Sequence, residues 1–317
     1  MTGSVIIDGI DIYNTYNATL MRGGDVDLLY WPARKEPDVV SYFEESGYDI
    51  DLEDLALESK DVTMLFYLKA NSSSELLRII DSFYARLLAP GYRSIYLREL
   101  DKSFELRYLS TNNYAQRGPL SQSGAKSAKL EVSFANDFPE QMYVSTFTSP
   151  LSTSLNSTYV EINDIDLSFY SLVVKDVYTT ALALPPIKPP LVLESDYSSG
   201  RYADSFSAPT LEPFDIVISV AARSYNVNQF YNNMSALFAE LTSDTLIDLT
   251  LSAANKTYKC YYVQMQNVEK KHSFNPSVHL TFDIVLKSVS YDLLSYLLGS
   301  EQQQAIITED NKLIILS

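Results

Sequence analysis

The sequence predicts an α+β, mainly β fold made of two tandem copies of one strand-rich domain, each with a single packed α-helix. Two amphipathic helix patterns recur, and the strand patterns around them recur at the same offset. Tyr (24) and Phe (14) are plentiful beside many β-branched runs, while Gly (10) is scarce, a composition that favours sheets. The 317 residues also exceed the roughly 250–300 at which one hydrophobic core stops growing.

The helix pattern organises the rest. Ser72 and Glu75 have the S-x-x-E spacing of a capping box, in which each side chain closes an unpaired backbone N–H of the other. Leu76, Leu77, Ile80, Phe83, Tyr84 and Leu87 then draw one apolar stripe up to the stop at Pro90-Gly91. Asn226 and Gln229 repeat the cap, and Phe230, Tyr231, Met234, Leu237, Phe238 and Leu241 repeat the stripe. Any core-facing helix shows this period, so the flanks decide. Val62–Leu68 and Ile216–Ala222 read as strands, Ile95–Leu97 matches Leu249–Leu251, and Phe104–Tyr108 matches Tyr258–Tyr262. Val5–Ile12 lies over Val160–Leu167, and Leu130–Ala135 over Leu280–Val285 after a slip. Internal repeats of this kind fix the architecture before any single element does.

In chain order, residues 3–14 read as a first strand that Asp8-Gly9 interrupts as a bulge or tight turn, and Thr15–Leu29 as an irregular connection. Glu45–Leu52 and its counterpart Ser198–Asp204 read as short strands or arms outside the main sheet. Residues 110–127, rich in Ser, Asn, Gln and Gly, read as a long polar hairpin excursion, with a shorter counterpart at Val263–Pro276. Pro185–Pro190 forces an extended stretch, either a stiff loop or a polyproline ligand. The expected domains are 1–139 and 159–290, with a Ser/Thr-rich linker at 140–158 and a helix plus β-hairpin extension at 291–317. An apolar terminal strand such as Leu313–Leu316 needs a sheet edge to join, in its own chain or a neighbour's.

Charge narrows the function classes. The formal net charge of −16, from 24 basic and 40 acidic residues, argues against gripping nucleic acid by its phosphates. It is compatible with a surface past which nucleic acid slides, and it keeps a protein soluble before assembly. The lone Cys260 excludes an internal disulfide framework. Met1–Ile12 lacks the basic and apolar regions of a signal peptide, so synthesis without export is expected. No apolar run approaches the roughly 18–20 residues of a membrane span, so no membrane insertion is expected.

Catalytic constellations are sparse. His272 and His279 have no Cys or acidic neighbour at metal-ligand spacing. Asp49, Asp51, Glu53 and Asp54 lack the calcium-loop pattern and read as a solvated acidic edge that discourages wrong strand pairing. Cys260, mid-strand between aromatics, reads as buried and inert. No G-x-S-x-G, P-loop, G-x-G-x-x-G or H-E-x-x-H motif is present. No catalytic, cofactor-binding or metal residue is assigned, and no cofactor is expected.

One combination of motifs is familiar. It consists of Ile7-Asp8-Gly9-Ile10-Asp11, Ser46-Gly47-Tyr48-Asp49-Ile50, the strand Val62–Leu68, the capped helix Ser74–Leu88, Pro90-Gly91 and Phe104–Tyr108. Together these resemble the N-terminal domain of siphophage distal tail proteins, of the wider tail-tube and baseplate-hub fold. The resemblance covers about residues 3–138 and, through the repeat, about 160–289. Distal tail proteins commonly follow this domain with a different β-sandwich, whereas here a second copy follows. The resemblance implies a tail-tube-like β-sandwich or split barrel in each copy. It further implies a virion structural protein, not an enzyme, made in a bacterial host cytoplasm. Its expected partners are itself, as a hexameric or pseudo-six-fold trimeric ring, and tail-tube and baseplate proteins. DNA would pass through the channel without specific binding. The rival from another class is a receptor- or carbohydrate-binding β-module with aromatic side chains as sugar platforms.

Overall fold

The computed structural model describes residues 3–42, 45–139, 156–189, 192–194, 201–203, 210–271 and 277–289. Most of the linker and the whole C-terminal extension predicted at 291–317 lie outside them. The first copy opens with β1 (Val5–Ile7) and β2 (Ile10–Asp11). Asp8 and Gly9 join them with φ of 48° and 77°, the left-handed pair whose twist suits a tight antiparallel hairpin. Next come α1 (Ile12–Tyr16), β3 (Ala18–Leu20), a 3-10 turn at Val26–Leu29, β4 (Val39–Val40), β5 (Asp49–Ile50) and β6 (Lys60–Ala70). The copy ends with α2 (Ser73–Leu87), β7 (Arg93–Leu97), β8 (Lys102–Arg117) and β9 (Lys126–Asn136).

The second copy repeats the series. It has β10 (Val160–Ile162), β11 (Ile165–Asp166), a 3-10 turn at Leu167–Tyr170 in place of α1, β12 (Leu172–Asp176) and the short α3 (Tyr178–Ala181). Then follow β13 (Val192–Glu194), β14 (Arg201–Ala203), β15 (Phe214–Ser224), α4 (Val227–Leu241), β16 (Ile247–Leu251), β17 (Lys256–Lys270) and β18 (Val278–Ser288).

Each copy forms one seven-stranded antiparallel sheet, and the strand orders match one for one: β2-β1-β7-β8-β9-β6-β3 and β11-β10-β16-β17-β18-β15-β12. This order forces curvature. β2 and β3 stand at opposite edges, which in a flat sheet would lie about 29 Å apart at ~4.8 Å per strand. Yet only the short α1 connects them, and even a fully extended link of that length reaches only about 24 Å. The sheet therefore curls until its edges approach. The long strands make the corner: Lys102–Leu106 of β8 pairs with β7, and Arg107–Arg117 pairs with β9. β17 divides the same way at Cys260. Register breaks after Tyr108 and Thr111, and after Tyr262 and Gln266, place bulges where the strand must bend.

Three sequence expectations are corrected here. Residues 110–127 form the expected hairpin, but its legs are strand, because β8 runs on to Arg117 and β9 starts at Lys126; likewise β17 runs on to Lys270. The far half of β8 is exposed on both faces, so it lacks the alternation that marks a half-buried strand. Thr15–Leu29 contains the sheet-edge strand β3, too short to show a period. Finally, Leu130 pairs with Phe66 as Phe282 pairs with Val220, so the counterpart of Leu130 is Phe282 and not Leu280. Both alignments differ by an even number, which keeps the same side chains on the core face.

Each helix fills its own curl. Leu76, Ile79, Ile80, Phe83 and Leu87 of α2 are buried, and the Phe83 ring meets Phe66 at 5.4 Å and Tyr16 at 5.6 Å edge-on. Burying side chains of this size contributes about 1.5–3 kcal/mol each. Leu77, expected in the stripe, is instead exposed, whereas its counterpart Tyr231 is buried. The caps recur too: Glu75 N–H donates to Ser72 Oγ at 3.2 Å and Gln229 N–H to Asn226 Oδ1 at 2.8 Å. The return bonds reach one residue further back than a simple capping box, from Asn71 N–H to Glu75 and from Tyr225 N–H to Gln229.

Candidate assembly interface

Between β3 and β6 the first copy sends an arm, residues 22–59, across the second copy. Its contacts begin with charge. Lys270 Nζ of β17 lies 2.7 Å from Asp25 Oδ2 and 3.0 Å from Glu99 Oε1, with the lysine and Asp25 side chains almost wholly buried. Two carboxylates around one ammonium offset the desolvation that a buried pair suffers. Arg22 Nη2 donates to the Lys271 carbonyl at 2.7 Å. Arg22, Asp25, Glu99 and Lys270 border a cavity of about 530 Å³ that Ser4, Leu20 and Leu97 also line.

The centre of the contact is Trp31. Its ring lies 5.5 Å from Phe238 of α4, 5.7 Å from Phe282 and 6.3 Å from Tyr262. Its backbone N–H donates to Met265 Sδ at 3.2 Å. Tyr262 Oη donates to the Pro32 carbonyl at 3.0 Å, Val268 N–H to Tyr30 Oη at 3.1 Å and Arg34 N–H to the Val263 carbonyl at 2.9 Å. Beyond the arm itself, Lys102 places its ammonium 3.8 Å from the centre of the Tyr231 ring, a cation–π contact.

A second cluster lies further along. Leu52 of the arm is buried with Tyr261 and Val289, and Tyr48, Ile50, Leu246 and Val263 pack around them. Tyr48 Oη and Tyr261 Oη share a hydrogen bond at 3.0 Å. Burial first, then that bond, pushes the Tyr48 phenol well above the usual tyrosine range. The second copy answers with Lys188. Its buried ammonium donates to Ser41 Oγ at 3.1 Å and to the carbonyls of Tyr42 at 2.8 Å, Glu45 at 2.7 Å and Gly47. The Pro185–Pro190 stretch is thus fixed through Lys188, and Ile187 bridges to Leu211; Pro190 lies outside the described residues. One continuous hydrophobic core runs through both copies.

Among the described residues the groups with conventional chemistry do not converge. Burial raises the Cys260 thiol out of the reactive range, against a weaker opposing hydrogen bond to Ser288. His279 sits on β18, and His272 is outside the described residues. Asp51 Oδ1 accepts Glu53 N–H at 3.0 Å in a local turn. Among the described residues no group of three or more His, Cys, Asp or Glu is placed to hold a metal ion. Lys60 is a perturbed amine with a cleft of about 330 Å³ beside it. Burial pushes its pKa down to about 7 against the pull of Asp27. Its ammonium is bonded to the Tyr30 carbonyl at 2.6 Å, which ties the arm to β6.

The acidic motif residues hold backbone. Asp11 caps α1 by accepting Tyr13 N–H at 3.0 Å and Asn14 N–H at 3.3 Å, while its other oxygen accepts Gly3 N–H at 2.8 Å. Asp166 does the same in the second copy for Ser168 and Thr158. Burial alone would raise both carboxyls. Hydrogen bonds outweigh it, from the Gly3, Asn14 and Tyr13 amides on Asp11 and from Ser157, Ser168 and Thr158 on Asp166, whose pKa falls to about 2.

No protein-family model matches this chain, and no curated protein matches it in sequence. No helix among the described residues is long and apolar enough to cross a membrane. Glu45–Leu52 does lie in an arm outside the main sheet, where Asp49–Ile50 pairs with Val39–Val40; what sequence reading missed is that this arm docks on the other copy. Its one signal was Tyr30-Trp31-Pro32, a large aromatic cluster in a segment without periodicity.

Proposed function

We propose that this chain is a non-enzymatic structural protein of a phage tail. It forms a distal-tail or baseplate-hub ring that connects the tail tube to the host-binding tip and lines the DNA channel. The observation that carries the reading is the duplicated curled sheet whose first copy lays an arm on the second. A contact between unlike faces of like units propagates, and rings arise when its rotation closes. The motifs described above and the charge of −16, which lets DNA pass without adhering, support the same reading. In it the chain resides in the virion, with itself, tube proteins and tip proteins as partners. Size-exclusion chromatography with light scattering and negative-stain imaging test it. A six-fold annulus, alone or on added tail tubes, is the expected result; a monomer that decorates no tube end overturns it.

A receptor- or carbohydrate-binding reading has one observation in its favour. Tyr42, half exposed, opens with Tyr48 onto a cleft of about 450 Å³ beside Glu212 and Lys287. Glycan binding lost in Tyr42→Ala would favour that reading.

A further inference from the structure

The two arms align residue by residue through equivalent backbone bonds. Glu58 N–H donates to the Ala33 carbonyl at 2.8 Å, and Glu212 N–H to the Pro186 carbonyl at 2.8 Å. Lys35 N–H donates to Ala56 at 2.8 Å, and Lys188 N–H to Thr210 at 2.8 Å. Arg34 bridges Leu57 as Ile187 bridges Leu211. Arg34 therefore corresponds to Ile187, and Trp31 to Leu184. Trp31 is 3% exposed and Arg34 6%, covered by the second copy; Leu184 is 69% exposed and Ile187 55%.

The receiving faces align as well, and their exposure inverts in the same sense. Tyr231 and Val268 of the second copy, 6% and 8% exposed, correspond to Leu77 and Tyr114 of the first, at 45% and 43%. Val263, packed under the arm, corresponds to Leu109, 40% exposed. Phe238 and Tyr262, the Trp31 pocket, correspond to Tyr84 and Tyr108. Leu109 and Tyr114 of the first copy are thus the counterparts of Val263 and Val268, which the arm meets on the second, and Leu77 is the counterpart of Tyr231, which Lys102 of β8 covers.

We propose that the Leu184–Ile187 arm of one chain docks on the Leu77, Leu109 and Tyr114 face of another copy of this chain. The docking repeats between chains the contact that Trp31 makes within one. It names the self-contact of the ring reading and rests on that reading only for closure. Where the second copy has the apolar cluster of Tyr261, Val289 and Leu246, the first has Arg107, Asp137 and Tyr92. Arg107 holds Asp137 through two bonds of 2.8 and 3.0 Å, and Tyr92 Oη donates to the same carboxylate at 3.0 Å. A face that meets water before assembly keeps a polar rim, whereas the intrachain face, covered as the chain folds, does not need one.

The test uses full-length Leu184→Asp, which spoils the arm, and Leu109→Asp, which spoils the face. Both side chains are exposed, so both variants keep the wild-type circular dichroism spectrum. Sedimentation velocity over a concentration series is expected to show reversible association of the wild type. Each variant alone weakens it at least about tenfold, as for a central interface position. Mixed together, the two variants form dimers that grow no further, because each keeps one intact partner surface. Unchanged association in both variants, no dimer on mixing, or a wild type monomeric throughout overturns the proposal. Annuli that persist in both variants would leave the ring reading standing without this contact. Open chains of wild type that the variants abolish would leave the contact standing without the ring.

Discussion

The Trp31 ring of the first copy lies 5.5 Å from the Phe238 ring of the second, at an interplanar angle of 38°. The contact joins an arm with almost no secondary structure of its own to the helix around which the other copy is built. Because one core runs through both copies, wild-type unfolding in urea is expected to be a single transition. Trp31→Ala removes the largest side chain at the seam and is expected to cost about 3–5 kcal/mol. Circular dichroism melts should show the midpoint falling and the transition broadening or splitting. A variant as stable and as cooperative as the wild type would show that the copies fold independently of the seam.

Lys188 reaches back with an ammonium enclosed by three carbonyls and a hydroxyl. Lys188→Met keeps most of the aliphatic stem and leaves those carbonyls unpaired. With hydrogen bonds to a charged group worth about 1.5–3 kcal/mol, its urea midpoint should drop by more than that of Lys35→Met, the equivalent position in the first copy. Equal effects at the two positions would remove the anchoring role.

Asp11 and Asp166 set an acid limit. Both carboxyls sit below their ordinary value in the folded chain, Asp166 at about 2 against 3.8. A depressed carboxyl contributes stability that is fully present above the unfolded value and is lost as pH falls through the folded one. Stability should therefore decline as pH drops from about 4 toward 2, and Asp166→Asn should flatten that decline while lowering stability at neutral pH by about 1 kcal/mol, the difference between hydrogen bonds to a charged and to a neutral acceptor. An unchanged acid limb in thermal melts would contradict the assignment.

The two hairpin turns hold the ends of their helices by different chemistry. In the first copy Asp8 is held by Arg93 at 2.9 Å and reaches Arg86 of the helix at 3.9 Å; in the second, Asn163 Nδ2 donates to Glu240 Oε2 at 3.2 Å. Both turn residues also accept a β-strand amide, Ser94 N–H at 3.0 Å and Asp248 N–H at 2.9 Å. Asn163→Asp alone sets two carboxylates together and should destabilise, while Asn163→Asp with Glu240→Arg should recover the loss as an ion pair. A double-mutant cycle is expected to give a coupling of about 0.5–1 kcal/mol, and none would be seen if the side chains do not meet in solution.

What the sequence made legible is what repeats with a period. The caps at Ser72 and Asn226, the buried stripe of α4 and the alternating cores of β6 and β15 all announce themselves, because each element buries one face against its own sheet. β3 was illegible because three residues carry no alternation, and the outer half of β8 because water lies on both sides. The docking of the arm was illegible for a deeper reason. Trp31, Arg34 and Lys188 meet the other copy, and nothing in a local window records a partner 141 or more residues away. Leu77 misled because it lies on the stripe and yet faces outward, which is the trace of a surface shaped by something other than its own core.

Trp31 is the sole tryptophan of the chain and lies at the junction between the copies, almost fully shielded. Its intrinsic fluorescence therefore monitors that junction without a label. A red shift and access to quenchers would signal parting of the two copies even while each sheet stays intact.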